Sequence, residues 1–204
     1  MKVLILINKV GLGDYIINLN YIHEISKKYG KPVSVLAKEN TRAKELFRDD
    51  PYIEEVITLD RLKNKTGSHD GLNGFIKLIK DIKEKKFDKV FIFNSSLRYF
   101  LICKTAGIRK IAQYPLFKKK GQHVVNTAKI FTENEIGKIV STQPKLFVDQ
   151  DKIFKAQKNM SMQNKCIVLG ISASGPTKRW EIKNFIKLSE KINQKFPSKF
   201  YLAA

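Results

Sequence analysis

The sequence predicts an α/β protein with a Rossmann-like parallel sheet, followed by the start of a second one. Three observations carry this. Short apolar runs alternate with segments of helical period. Glycine-bearing turns follow two of those runs. The whole pattern restarts at residue 165, so a second unit of the same kind opens there.

The elements follow in order. "KVLILI" (2–7) reads as a fully buried strand, and residues 15–30 as a helix with Ile16, Leu19, Ile22 and Ile25 at helical spacing, closed by lysines and Gly30. Strands are expected at 32–37 and 53–59, with a short helix between them at 41–51 that stops before Pro51. Residues 60–71 are polar and aperiodic, the pattern of a surface loop. A helix at 72–87, a strand at 88–94, a helix at 96–107 capped by Ser95 or Ser96, a strand at 108–114 and a helix at 122–134 complete the alternation. A short extended run is expected at 144–148. The first domain is therefore placed at 1–148 and a polar linker at 149–164. The second domain opens with a strong buried strand at 165–172, a turn at 173–180, a helix at 181–196 and a strand at 199–204. Because the sequence ends within that apolar run, it reads as the N-terminal portion of a longer protein whose second domain is incomplete here.

Composition narrows the partners. The 204 residues hold 39 Lys and Arg against 19 Asp and Glu, a net charge of +20. Such an excess favours polyanions, lipid headgroups or phosphorylated sugars. Nearly all of it is lysine, whereas sequence-specific DNA readers rely on arginine forks. Codon bias explains a lysine excess equally well. Aromatic–basic interleaving is absent, so no nucleic-acid partner is expected. Cys103 and Cys166 sit in apolar stretches, without zinc spacing, and read as buried thiols of a reducing compartment. No stretch approaches the roughly 20 apolar residues that span a bilayer. The reading is a cytoplasmic protein that meets membrane only from its surface.

In open α/β sheets ligands sit beyond the carboxyl ends of the strands, and two turns occupy that place. The first is "NKVGLGD" (8–14). Gly11 and Gly13 permit tight or positive-φ geometry and close approach of a ligand. The pattern is neither G-x-G-x-x-G, since Ile16 fills the third glycine position, nor a P-loop. Asp14 is an N-cap on one reading. On the other it is a carboxylate poised as general base for a hydroxyl. The second turn carries Ser172, Ser174, Thr177, Lys178 and Arg179 ahead of a helix. Hydroxyls, amides and two cations suit a phosphate or diphosphate; a solvated loop with a cap at Thr177 and Trp180 as packing residue is the alternative. Ser95, Ser96 and Arg98 end a strand at the same edge and are candidates for an acceptor phosphate, or for capping. His23 falls on an exposed or boundary helix face, His69 in the polar loop, and His123 at a helix start.

The stretches "GLGDYIINLNYIHEISKKYG", "FDKVFIFNSSLRYFLICKTAGIRKIAQYP" and "GISASGPTKRWEIKNFIKLSEKI" together resemble the heptosyltransferases of bacterial lipopolysaccharide core biosynthesis, the family-nine glycosyltransferases. That resemblance implies a GT-B architecture, two Rossmann-like domains facing a cleft, with the acceptor on the first and the nucleotide-sugar donor on the second. It implies inverting transfer with no metal and no cofactor, the co-substrate being a nucleotide-sugar such as ADP-heptose. It makes Asp14 the base, places Gly11, Gly13, Ser95 and Arg98 on the acceptor side, and gives the donor phosphates to Ser172, Ser174, Thr177 and Lys178. An anionic glycolipid at the inner-membrane surface is the implied acceptor. The sequence departs from the family at Asn20, where many members carry proline, and at Asn8-Lys9; the family's distal Asp-Ser/Thr-Gly donor motif with its His does not occur within the 204 residues. The competing expectation is a non-catalytic module that binds phosphorylated glycan or lipid.

Overall fold

The computed structural model describes residues 1–8, 11–62, 64, 66–115, 123–160, 165–173 and 175–203. They form two compact units, Met1–Phe147 and Val148–Ala204.

The first unit is built on five parallel strands: β1 (Val3–Leu6), β2 (Val33–Lys38), β3 (Ile53–Leu59), β4 (Lys89–Ile92) and β5 (Lys110–Gln113), in the order β3-β2-β1-β4-β5. The central strand runs parallel to both neighbours, Leu6 facing Leu36 on one side and Ile92 on the other. Side-chain alternation divides the core in two. Val3, Ile5, Ile7, Val33, Val35, Phe91 and Phe93 point to one face. They meet Tyr15, Leu19, Ile22 and Ile25 of α1 (Leu12–Tyr29) and Ala128, Thr132 and Ile136 of α5 (Val124–Ile136). Leu4, Leu6, Leu36, Val90 and Ile92 point the other way, onto Leu78 and Ile82 of α3 (Gly71–Glu84) and Tyr99, Ile102 and Cys103 of α4 (Leu97–Thr105).

α1 ends where the sequence sets its stop signal. Gly30 adopts φ 65° in the left-handed region and its N–H returns to the Lys27 carbonyl at 3.2 Å. Between β2 and β3, where one short helix was expected, the chain makes a 3-10 turn (Glu39–Thr41) and a single-turn helix α2 (Ala43–Leu46). Arg42 at the junction sits at φ 54°, and that left-handed residue divides the segment.

Two other expectations change in this unit. His23 is 2% exposed, not on a boundary face. Its Nε2 lies 2.7 Å from Asp50 Oδ2, and its ring packs on Tyr52 and Phe147. The chain returning into β3 covers that side of α1, which helical periodicity alone does not reveal. Residues 144–148, expected as a short extended run, belong to no helix or strand, and Phe147 packs edge-on against His23 and Tyr52. The loop at 60–70 is polar but not simply solvated, since His69 and Asp70 are both buried.

The second unit holds α6 (Gln150–Asn159), β6 (Lys165–Gly170), α7 (Ile182–Lys195) and β7 (Ser198–Ala203). Most of the described part of the segment expected as a linker is helical, with the Asp149 carboxylate capping the Asp151 amide at 2.8 Å. β6 and β7 pair in parallel from Lys165–Ser198 to Gly170–Ala203, with α7 between them in sequence. β6 is not the buried strand its sequence suggests: only Leu169 is buried, and Val168 is 60% exposed. Cys166, expected buried, is exposed for the same reason.

Candidate functional site

The site of the first unit follows from its winding. β1 and β4 are neighbours, but the chain leaves β1 over one face through α1 and leaves β4 over the other through α4. The two exits diverge at their carboxyl ends, the switch point at which open α/β sheets place their ligand crevice. The turn with Gly11, Gly13 and Asp14 lies on one side of it. Asn94, Ser95 and Ser96 lie on the other. Lys9 and Val10, within the first turn, fall outside the described residues.

Asp14 is the third residue of α1, not its N-cap; Gly11 takes the cap position. The carboxylate reaches back, and Oδ2 accepts the Gly11 N–H at 3.3 Å while Gly11 O accepts the Asp14 N–H at 3.2 Å. The side chain is half-buried, and Oδ1 accepts no hydrogen bond from the described residues. One oxygen is thus oriented and the other can take a proton. Neither glycine uses the positive φ expected of it: Gly11 is extended at φ −113°, and Gly13 is helical. A Cβ at Gly13 would meet nothing within 4 Å, so the space beside it is open and the surrounding fold does not itself demand glycine there.

The support beneath Asp14 was not legible in the sequence. The Tyr15 hydroxyl, fully buried, donates to the Ile7 carbonyl at the end of β1, and burial raises its pKa. Asn18, 4% exposed, donates from Nδ2 to the Asp14 carbonyl at 2.6 Å, and its buried Oδ1 has no partner among the described residues. Tyr15 therefore ties the end of β1 to the first turn of α1, and Asn18 braces that turn from within the helix. Their polar tips on an otherwise apolar face were the available signal.

Across the crevice, Asn94 Oδ1 accepts the Ser96 N–H at 2.9 Å, and Gln113 Nε2 donates to the Asn94 and Ser96 carbonyls at 3.1 and 3.0 Å. Ser96 occupies the N-cap of α4 without a side-chain capping bond, and Ser95 is exposed. Arg98 turns from the crevice to the neighbouring loop. Its Nη2 donates to the His69 and Gly71 carbonyls at 3.1 and 3.2 Å, and its guanidinium lies 5.2 Å over the Phe75 ring.

That loop is a hydrogen-bonded clasp. Asp70 Oδ1 accepts from Arg61 Nε at 2.9 Å, and Oδ2 accepts the amides of Leu62 and Gly67 at 3.0 and 3.1 Å. The Arg61 guanidinium and the two amides hold the Asp70 carboxyl below its usual range, against the opposing effect of burial. His69 Nδ1 accepts the Asp60 N–H at 3.0 Å, and Nε2 faces Asp81 Oδ2 at 2.9 Å, so both ring nitrogens are engaged. Gly74 is required here, since a Cβ would come within 2.2 Å of the His69 backbone.

In the second unit the turn after β6 is exposed. Ser172, Thr177 and Lys178 face solvent, and Ser174 lies outside the described residues. Pro176–Lys178 form a 3-10 turn in which the Lys178 N–H reaches the Gly175 carbonyl at 3.0 Å. Arg179 closes the turn, Nε donating to the Ala173 carbonyl at 3.0 Å. α7 begins only at Ile182, with Glu181 as N-cap, so Thr177 does not cap it. Trp180 packs edge-on against Phe185 and stays half exposed. Among the described residues, no group of three His, Cys, Asp or Glu side chains could hold a metal ion.

A doubly wound parallel sheet with its crevice at the switch point, followed by a second strand–helix–strand unit, is the fold of the GT-B glycosyltransferases. Solved structures bear the likeness out. A family 9 glycosyltransferase from Veillonella parvula matches at TM-score 0.74 and 16% identity, over 98% of this chain and 62% of that one. The ADP-heptose LPS heptosyltransferase II of E. coli matches at TM-score 0.68 and 17% identity, over 99% and 64%. The E. coli heptosyltransferase WaaC, solved with ADP-2-deoxy-2-fluoro heptose, matches at TM-score 0.66 and 13% identity, over 100% and 69%. The chain spans just under two thirds of the length of the first two. No family model and no curated protein matches the sequence.

Proposed function

We propose that this chain belongs to an inverting, metal-independent glycosyltransferase that moves a sugar, heptose in the leading reading, from a nucleotide-sugar to a lipopolysaccharide core or related glycan. The observation that carries the proposal is Asp14. It is a half-buried carboxylate with one oxygen oriented and one open, at the switch point of a sheet whose fold is that of heptosyltransferases. In this reading Asp14 takes the proton of the acceptor hydroxyl as that oxygen attacks the anomeric carbon. The bond from that carbon to the diphosphate breaks, and the nucleoside diphosphate leaves with the electron pair. Lys178, with the hydroxyls of Ser172 and Thr177, meets the donor phosphates and stabilises the charge that develops there. Ser174 would join them. Gly13 leaves space for the acceptor, and Ser95 faces it from the other side of the crevice. Arg98 acts indirectly, by holding the loop beside that crevice. The E. coli heptosyltransferase II is named for ADP-heptose, and WaaC is solved with ADP and with ADP-2-deoxy-2-fluoro heptose, so ADP-heptose is the donor to test first. An acceptor that is an anionic glycolipid agrees with the charge of +20. A cytoplasmic enzyme at the inner face of the membrane fits as well, since among the described residues no helix is long and apolar enough to cross one.

The test is Asp14→Asn in the native protein. The amide keeps an acceptor for the Gly11 N–H but cannot take a proton. Transfer from ADP-heptose should fall by about 10²–10⁴-fold in kcat with thermal stability unchanged. Retained transfer, or a loss of stability matching the loss of rate, would assign Asp14 to holding the helix start. Acceptor binding with no turnover by the unaltered protein would favour the non-catalytic module.

A further inference from the structure

Five large apolar side chains stand exposed at one end of the first unit. Leu72 is 82% exposed and Ile76, Leu97, Leu101 and Leu62 at least 42%. Single exposed leucines need no explanation, but a group on adjoining elements does. Leu72 and Ile76 are one turn apart on α3, and Leu97 and Leu101 one turn apart on α4, so each pair forms a ridge on its own helix. The core-facing residues are Gly74, Leu78 and Ile82 on α3 and Tyr99, Ile102 and Cys103 on α4. Both ridges therefore lie away from the sheet.

The two helices pack against each other, and Arg98 fixes their ends together. It bonds the Gly71 carbonyl at 3.2 Å and covers the Phe75 ring, bringing the first turn of α4 to the first turn of α3. Leu62 joins them because its amide is held by Asp70, the residue before α3. Exposed lysines continue the same helices: Lys77, Lys80 and Lys83 on α3 and Lys104 on α4. Asp81, the acid among them, is turned to His69. Glu84 is exposed at the far end of α3. Apolar tips at the start of two helices and cations behind them form the pattern of a surface that seats at a lipid–water boundary.

We propose that the N-terminal ends of α3 and α4, with Leu62, dock on an anionic lipid bilayer. The leucine and isoleucine tips enter the headgroup–acyl boundary, and the lysines meet acidic headgroups. The charge of the chain complements such a surface. α3 and α4 start at the carboxyl edge of the sheet, where the turn with Asp14 also lies, so docking there would bring a lipid-borne acceptor to that edge. The inference deepens the glycolipid reading above, yet its test needs neither donor nor turnover. If Asp14→Asn left transfer intact while vesicles still bound, the chemistry would fail and the docking would stand.

The experiment is cosedimentation with phosphatidylglycerol/phosphatidylcholine vesicles against pure phosphatidylcholine vesicles. The native protein should favour the anionic vesicles. The double variants Leu72→Glu/Ile76→Glu and Leu97→Glu/Leu101→Glu should each weaken that binding at least about tenfold, with far-UV circular dichroism unchanged because the replaced side chains are exposed. Lys80→Glu/Lys104→Glu should lower it as well and remove part of its salt dependence. Two outcomes would overturn the proposal. One is binding that falls with salt yet ignores the leucine and isoleucine variants, which would make the attraction a diffuse charge effect. The other is concentration-dependent self-association without lipid that the same variants abolish, which would make the face a contact between copies of the chain.

Discussion

The first unit and the second begin with the same sentence of structure and finish it differently. β1–α1–β2 and β6–α7–β7 are each a strand, a turn, an amphipathic helix and a parallel strand. In the first, every residue of β1 is buried, because β1 lies centrally with helices on both faces. In the second, β6 has one buried residue and α7 none. The turns differ in sign as well. The first offers a carboxylate held by a glycine amide; the second offers exposed hydroxyls and a lysine, with an arginine spent on closing its own turn. Local sequence thus sets the element and the chemistry of its turn, while burial depends on what else packs against it.

Each unit carries one cysteine, and this gives the widest contrast. Cys103 is buried on the sheet-facing side of α4, and burial pushes its thiol up to about 12; Cys166 is exposed on β6. At pH 8 a thiol with a pKa of about 12 is ionised to only about one part in 10⁴. Alkylation followed by mass spectrometry should therefore modify Cys166 first, with Cys103 slower by about 10³-fold or more until denaturant opens the unit. Equal rates would abolish the distinction between the units. A second contrast is one of stability. Ile5→Ala removes side-chain volume from a fully buried site in β1, at a cost of about 2–5 kcal/mol. Val168→Ala trims a side chain that is 60% exposed in β6, and should change stability by no more than about 0.5 kcal/mol. Urea unfolding followed by circular dichroism distinguishes the two, and similar shifts of midpoint would contradict the difference in packing.

The same contrast explains what could be read from the sequence. The alternation of apolar runs and helical periods marks every strand of the five-stranded sheet, because even the edge strands IEEVITL and KIAQ sit in apolar runs between helical segments. The α/β class was legible for that reason, whereas the GT-B architecture entered only through the resemblance of three stretches to the family-nine glycosyltransferases. The Gly-Asp turn and the Thr-Lys-Arg turn were legible as strand-end turns, the place where open α/β sheets set a candidate ligand edge. What remained hidden depended on partners distant in sequence. His23 is buried by Asp50, Tyr52 and Phe147, none of which its own helix specifies. Arg98 is drawn off to the carbonyls of His69 and Gly71, some 27 to 29 positions away. Cys166 and β6 looked buried because apolar composition was read without knowing which neighbours would cover it.

The loop at 60–70 gives the smallest effect and tests a specific part of that lesson, that polar, aperiodic sequence can still be fixed structure. Asp70 is lowered chiefly by Arg61, with the amides of Leu62 and Gly67 adding to it. A carboxyl whose folded pKa lies below its unfolded value, about 3.9, contributes stability above that value. The contribution disappears as pH falls from there through the folded pKa, because protonation then removes the charge that Arg61 and the amides engage. Asp70→Asn should therefore cost stability at pH 7 and progressively less toward pH 3, so that the two stability curves converge in acid. The measurement is urea unfolding of both proteins between pH 3 and pH 7. A gap that stayed constant with pH would show that Asp70 acts in the loop through shape and neutral hydrogen bonds, and that its pairing with Arg61 adds no pH-linked stability.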